Sequence, residues 1–180
     1  VMDALLLLEF PASTFDLVNL RFGVSFLRIW DWPKLLMEML RVTRPGGVMR
    51  LTEGEVGNQS NSSAAIALYT RGVQALYRAS HLLTEQSDGL LDHLAPLLRQ
   101  YGCERVQTKP YTLVYRAGTP AGQAYLQDAR SVLRQARPFV QKWGGAGDDY
   151  DALHQQALTE MQQPDFWATW RLLTAWGHKP

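Results

Sequence analysis

The sequence predicts an α/β fold, and three observations carry that expectation. Within the first 53 residues a short apolar run, an amphipathic helical stretch and a second apolar run follow one another, the pattern of a strand-helix-strand crossover with parallel strands. Helix-spaced apolar residues then alternate with short β-forming stretches as far as the carboxyl end. An apolar fraction of 46% against a charged fraction of 19% lets such a chain fill a core, and 180 residues suffice for one domain that buries roughly 70% of its unfolded surface.

Phe15 to Phe22 contains Leu17, Val18 and Leu20 between Pro11-Ala12-Ser13-Thr14 and Gly23, and reads as a buried strand. From Pro33 to Val42, Leu35, Leu36, Met39 and Leu40 recur at helical spacing, with Asp31 near the start and Pro33 suited to the first turn. Arg44-Pro45-Gly46-Gly47 ends that helix, because proline cannot donate the next helical hydrogen bond and glycine accepts positive φ. Val48 to Glu53 is the second strand. Glycine, asparagine and serine from Gly54 to Ser63 mark a loop at its carboxyl end, the side on which α/β sheets bind ligands.

Two helices are expected next. The first carries Ile66, Tyr69, Val73, Leu76 and Tyr77; the second opens at Asp88, carries Leu90, Leu91, Leu94, Leu97, Leu98 and Tyr101, and stops at Gly102. Glu104 to Thr108 reads as a strand that Thr112 to Tyr115 continues. Thr119-Pro120 opens a helix whose stripe is Tyr125, Ala129, Val132, Leu133, Ala136 and Phe139, with Pro138 set to kink or end it. After Gly144-Gly145-Ala146-Gly147, Asp148 opens a helix carrying Leu153, Ala157, Leu158 and Met161. Phe166 to Trp176 is rich in aromatic and β-forming residues and reads as the last strand.

With 18 basic and 17 acidic residues the chain has almost no net field, so nucleic acid is not an expected partner. Its longest apolar run, Ala4 to Leu8, falls far short of the roughly 20 residues of a membrane span, and no basic leader precedes it; a cytoplasmic protein is expected. Cys103 is the one cysteine and reads as a packing residue. Asn58-Gln59-Ser60 and Asn61-Ser62-Ser63 match the glycosylation pattern but read as a polar loop. His81, His93, His154 and His178 lack metal-ligand spacing, so no metal is expected.

The order and spacing of several short motifs add a resemblance. Asp3-Ala4, Phe10-Pro11 ahead of Phe15-Asp16, and Arg41-Val42 followed by Pro45-Gly46-Gly47 together resemble the cofactor-binding core of class I S-adenosylmethionine-dependent methyltransferases. The match is tight from Val1 to Glu53 and looser from Gly102 to Pro180, where Gly102 and the Phe166 to Lys179 segment are similar to the family's later turn and last, antiparallel strand. The resemblance implies a truncated Rossmann-like methyltransferase fold in a single domain: a cofactor-side core over residues 1–53, a helical insert over 54–101, and carboxyl-terminal strands and helices over 102–180. It also implies that the glycine-rich loop and ribose-binding acid lie upstream of Val1. A strand normally central would then become an exposed edge, to be covered by the upstream half or by a second copy in a homo-oligomer.

On the same footing, S-adenosylmethionine is the implied cofactor. Asp3 would accept from its adenine amino group with Ala4 alongside, and Arg21 and Phe22 would line the methyl-transfer pocket; the alternatives are a plain loop aspartate, a solvated arginine and a core phenylalanine. Asp16 reads as structural. Glu53 and Glu55 lie where an acceptor would approach and could orient or deprotonate it, or be a solvated loop pair. Tyr69 and Tyr77 could shape the acceptor pocket or belong to the core. Trp30, Trp32, Trp167, Trp170 and Trp176 could form a cage for a cation or serve in packing. The expected function is methyl transfer to a small-molecule acceptor, impaired in this chain alone; the alternatives are a non-catalytic module of the same fold acting in assembly or binding, and a helical regulatory protein.

Overall fold

β1 (Phe15–Arg21) and β2 (Thr43–Gly54) run parallel and are joined by α1 (Trp32–Val42), as the crossover pattern requires. The structure is a computed structural model and describes residues 2–145 and 149–180. Trp32, Leu35, Leu36, Met39 and Val42 form the buried stripe of α1. The proline-glycine segment is not a turn ahead of the strand. Phe15 already faces Thr43 while Leu17 faces Val48, so Arg44 to Gly47 bulges out of a strand that begins five residues earlier than expected. Gly46, at φ +76°, makes the reversal, and Arg44 pairs with Asp16 across the bulge.

β5 (Trp167–His178) lies antiparallel beside β2 and pairs on its other side with β4 (Glu104–Arg116); a two-residue strand, β3 (Gln59–Ser60), faces Thr169 and Ala168. The sheet is therefore mixed and mostly antiparallel. Among the described residues β1 pairs with β2 alone. Phe15 to Phe22 was expected as a buried strand, but on this edge Leu17 is 47% exposed while Val18 and Leu20 still pack on the core. Lys179, just past β5, donates to the carbonyls of Leu40 at 2.9 Å and Thr43 at 2.8 Å, satisfying groups at the end of α1. Lys179→Ala is expected to lower stability by about 1–2 kcal/mol, read as a reduced urea midpoint; an unchanged midpoint would contradict this role.

The helices form two groups. α1 and α3 (Leu94–Gln100) cover Met49, Leu51 and Ala175 of the sheet. A helix opening at Asp88 was expected, but α3 starts six residues later after a single 3-10 turn at Leu91–His93, because Pro96 lacks a donor and suits only a first turn. α2 (Ser63–Arg78), α4 (Pro120–Trp143) and α5 (Tyr150–Glu160) form the second group, packed on Phe166 and Ala168 where β4 and β5 run beyond the end of β2. Ser62 and Thr119 cap α2 and α4 through their hydroxyls.

Two expected stripes shift. α2 buries Ala64, Ala65, Leu68, Val73 and Ala75 and leaves Ile66 and Tyr77 exposed, since its small residues admit two helices at close range. In α4, Pro138 does not end the helix, and Val132 is 60% exposed at a cavity rim. The expected helix start at Asp148, with Ala146 and Gly147, lies outside the described residues. Among the described residues no helix is long and apolar enough to cross a membrane.

Candidate functional site

The chain turns sharply where β1 ends. Phe22 takes a left-handed backbone, φ 56° and ψ 40°, a conformation that costs a non-glycine residue on the order of 1–3 kcal/mol and persists only when its surroundings enforce it. Three contacts do so. Phe22 N donates to the Thr52 carbonyl at 2.9 Å, Gly23 N donates to Glu53 Oε1 at 2.5 Å, and the Phe22 ring stacks on Trp170 at 5.7 Å with Arg21 over its face. The space behind Gly23 is closed, since a Cβ there would meet Leu27 at 2.8 Å and both Glu53 and Trp32 at 3.2 Å.

Glu53 and Glu55 were expected either to orient or deprotonate an acceptor or to be a solvated loop pair; both are buried, which excludes the solvated pair. Glu53 is 1% exposed and its Oε2 has no partner, so burial pushes its carboxyl up to about 7 despite the Gly23 and Val24 amides. Glu55 also lies above the ordinary carboxylate range because of burial, with Arg171 at 2.8 Å opposing the shift. Glu53, still in β2, sits behind the turn, whereas Glu55, one residue past the strand's end, lines a cavity.

That cavity, about 700 Å³, opens between the carboxyl ends of β1 and β2 and the α2–α4 layer. Phe22, Gly54 and Trp170 form its sheet side; Leu68, Tyr69 and Leu76 come from α2, and Tyr125, Leu133 and Phe139 from α4. Trp170 is fixed by donating Nε1–H to the Glu55 carbonyl at 2.9 Å. In the wall, Asn58 Nδ2 donates to Tyr125 Oη at 2.9 Å, and Tyr125 Oη lies 2.7 Å from Tyr69 Oη. Burial raises both phenols above their ordinary range. The volume is that of a small-molecule site, mostly apolar with a few convergent polar groups.

Arg21, Phe22, Glu53, Glu55 and Tyr69 thus gather around one end of the parallel pair. Tyr77 is exposed and is not among the cavity residues. Trp30 lies exposed beneath Arg28 and Trp32 is in the core, so the tryptophans form no cage; only Trp170 reaches the cavity. Asp3 and Ala4 reach α1 through the first segment of the chain: Lys34 donates to Leu5 O, and Arg41 donates to the carbonyls of Leu8 and Phe10. Sequence reasoning read Tyr125 as part of a packing stripe, Trp170 as a cage or packing residue of the last strand, and Asn58 as part of a loop. Nothing in their spacing shows that distant segments meet. Among the described residues no group of three or more His, Cys, Asp and Glu is arranged to hold a metal.

A mixed sheet with a parallel pair, a last strand inserted antiparallel, and a cavity at the carboxyl strand ends is the Rossmann-like methyltransferase architecture. Residues 1–51 match the family described as "Methyltransferase domain". The chain is similar to a demethylmenaquinone methyltransferase of Bacillus cereus (strain B4264), 30% identical over 115 residues, covering 58% of this chain and 48% of that protein. The corresponding protein of Anoxybacillus flavithermus is 31% identical over 115 residues with the same coverage. The chain spans about half the length of these curated relatives. Among solved structures, the YcgJ protein of Bacillus subtilis is similar at 14% identity and a TM-score of 0.48, over 98% of this chain and 69% of that one.

S-adenosylmethionine is the cofactor of class I methyltransferases, the family that the first segment resembles. The exposed Asp3 carboxylate uses Oδ1 to accept from Leu5 N at 2.8 Å, which leaves Oδ2 able to accept from an amino group.

Proposed function

We propose that this chain carries the acceptor side of an enzyme that transfers the methyl group of S-adenosylmethionine to a small molecule. The observation that supports it most is a coincidence: the segment matching the methyltransferase domain includes Phe22, Val24 and Ser25 of the cavity lining and ends on β2 three residues before Gly54, at the strand ends where α/β sheets bind their ligands. In this reading Asp3 accepts from the adenine amino group with Ala4 alongside, and Arg21 and Phe22 line the meeting point of cofactor and acceptor. The acceptor's lone pair attacks the methyl carbon in line as the carbon–sulfur bond breaks and sulfur keeps the electron pair. Positioning supplies most of the rate. Glu53 acts through Gly23 as a positioning residue, and Glu55, Tyr69 and their neighbours shape the acceptor side.

The unpaired edge of β1 supports a second part of the proposal. Its free backbone groups and half-exposed Leu17 call for a further strand, supplied by an upstream segment or by a second copy, and without it cofactor binding is weak. The same edge is what favours the alternative of a binding module that assembles through strand pairing. Calorimetric titration with S-adenosylmethionine separates the two. The reading expects no saturation at micromolar concentrations for the 180-residue chain, and one-to-one binding at least about tenfold tighter for an extended chain whose added strands cover β1. An extended chain that binds no cofactor would refute it.

A further inference from the structure

The cavity wall holds a chain of polar groups with one proton to spare. Asn58 Nδ2 can only donate, so it occupies an acceptor site on Tyr125 Oη. The 2.7 Å contact between the Tyr125 and Tyr69 hydroxyls uses one of their two protons. Whichever phenol donates, the other keeps a proton that no group among the described residues accepts. Tyr125 cannot swing away, since its ring is stacked between Tyr115 at 4.6 Å and Phe166 at 5.9 Å. With both phenols held neutral by burial, the chain is a hydrogen-bond donor and not a base.

The rest of the lining narrows the ligand. Among the described residues no lysine, arginine or histidine lines the cavity itself; Arg21 lies over the Phe22 ring and Arg171 is paired with Glu55, so a carboxylate or phosphate inside the cavity would have no free cation to meet it. Glu55 is committed to Arg171, and Asp128 is exposed. We propose that the cavity takes a neutral, mostly apolar molecule held through one carbonyl oxygen that accepts the spare hydroxyl proton of the Tyr69–Tyr125 pair. This rests on the reading of the cavity as the methyl acceptor's site and adds the chemical class of that acceptor.

The test uses the fluorescent ketone prodan and an analogue with propyl in place of propionyl, titrated into the full chain without cofactor. Prodan is expected to bind one-to-one with emission shifted to the blue of its value in water. The double variant Tyr69→Phe/Tyr125→Phe removes both hydroxyls and is expected to weaken prodan about five- to tenfold while leaving the propyl analogue unchanged. Asn58→Asp supplies an independent variant that keeps both phenols. An aspartate there accepts from Tyr125, which then accepts from Tyr69, so the spare proton is consumed and prodan alone weakens. Failure of prodan to bind, or equal losses for both probes, would overturn the proposal. Because no cofactor is present, that failure leaves the S-adenosylmethionine titration untouched, and failure of that titration leaves the probe result standing.

Discussion

Between pH 4.5 and about pH 8, Glu53→Gln is expected to gain about 3 kcal/mol of stability relative to the wild type, from a carboxyl raised from 4.5 to about 7. A folded-state value above the unfolded one means that the native protein binds this proton more tightly. The contribution of Glu53 to stability is therefore greatest below pH 4.5, falls as pH rises to about 7, and stays at its reduced level above that. Glutamine keeps an oxygen to accept from Gly23 N but cannot ionise. Urea midpoints of both proteins across this range check the prediction, and parallel curves would contradict it. The consequence is local to the site, because the Glu53–Gly23 bond holds the left-handed turn that aims Phe22 at Trp170.

Gly54→Ala should cost about 3 kcal/mol, in the upper part of the range for overpacking. A Cβ at Gly54 would lie 2.6–2.8 Å from the Trp170 ring atoms Cζ2, Cε2 and Nε1. The indole cannot step aside freely: its Nε1–H is bonded to the Glu55 carbonyl, and its face covers Phe22. The ring is expected to move into the cavity, weakening prodan and its propyl analogue alike. A lowered urea midpoint with equal losses for the two probes is the expected result. A variant as stable as the wild type, with unchanged probe binding, would mean that Trp170 is not fixed there.

The parts of this fold that were legible in the sequence are those decided by local chemistry. The α1 stripe, the stop at Gly102 and the start at Thr119-Pro120 follow from helical spacing, positive φ at Gly102 and a hydroxyl cap on α4. The last strand was legible through its aromatic content. Where neighbours decide, single-sequence reading fell short. Leu17 looks like a core residue until β1 is seen to have one partner, and Ile66 looks inward until α2 is seen to bury its alanines. Of the site, Phe22, Glu55 and Tyr69 were reachable because they follow strands or sit on the next helix. Asn58, Tyr125 and Trp170 meet only because β4 and β5 extend past β2 and carry α2 and α4 over its end.

The central claim is that cofactor and acceptor meet where β1 and β2 end. Amide chemical shifts of the isotopically labelled 180-residue chain, followed while S-adenosylhomocysteine is added to millimolar concentration, test it even when binding is weak. The account predicts shifts confined to two regions, the Asp3–Leu5 segment and the amides of Phe22 to Val24 with their neighbours at Glu53 to Val56. No shifts at that concentration, or shifts centred on the α5 end of the molecule, would contradict it.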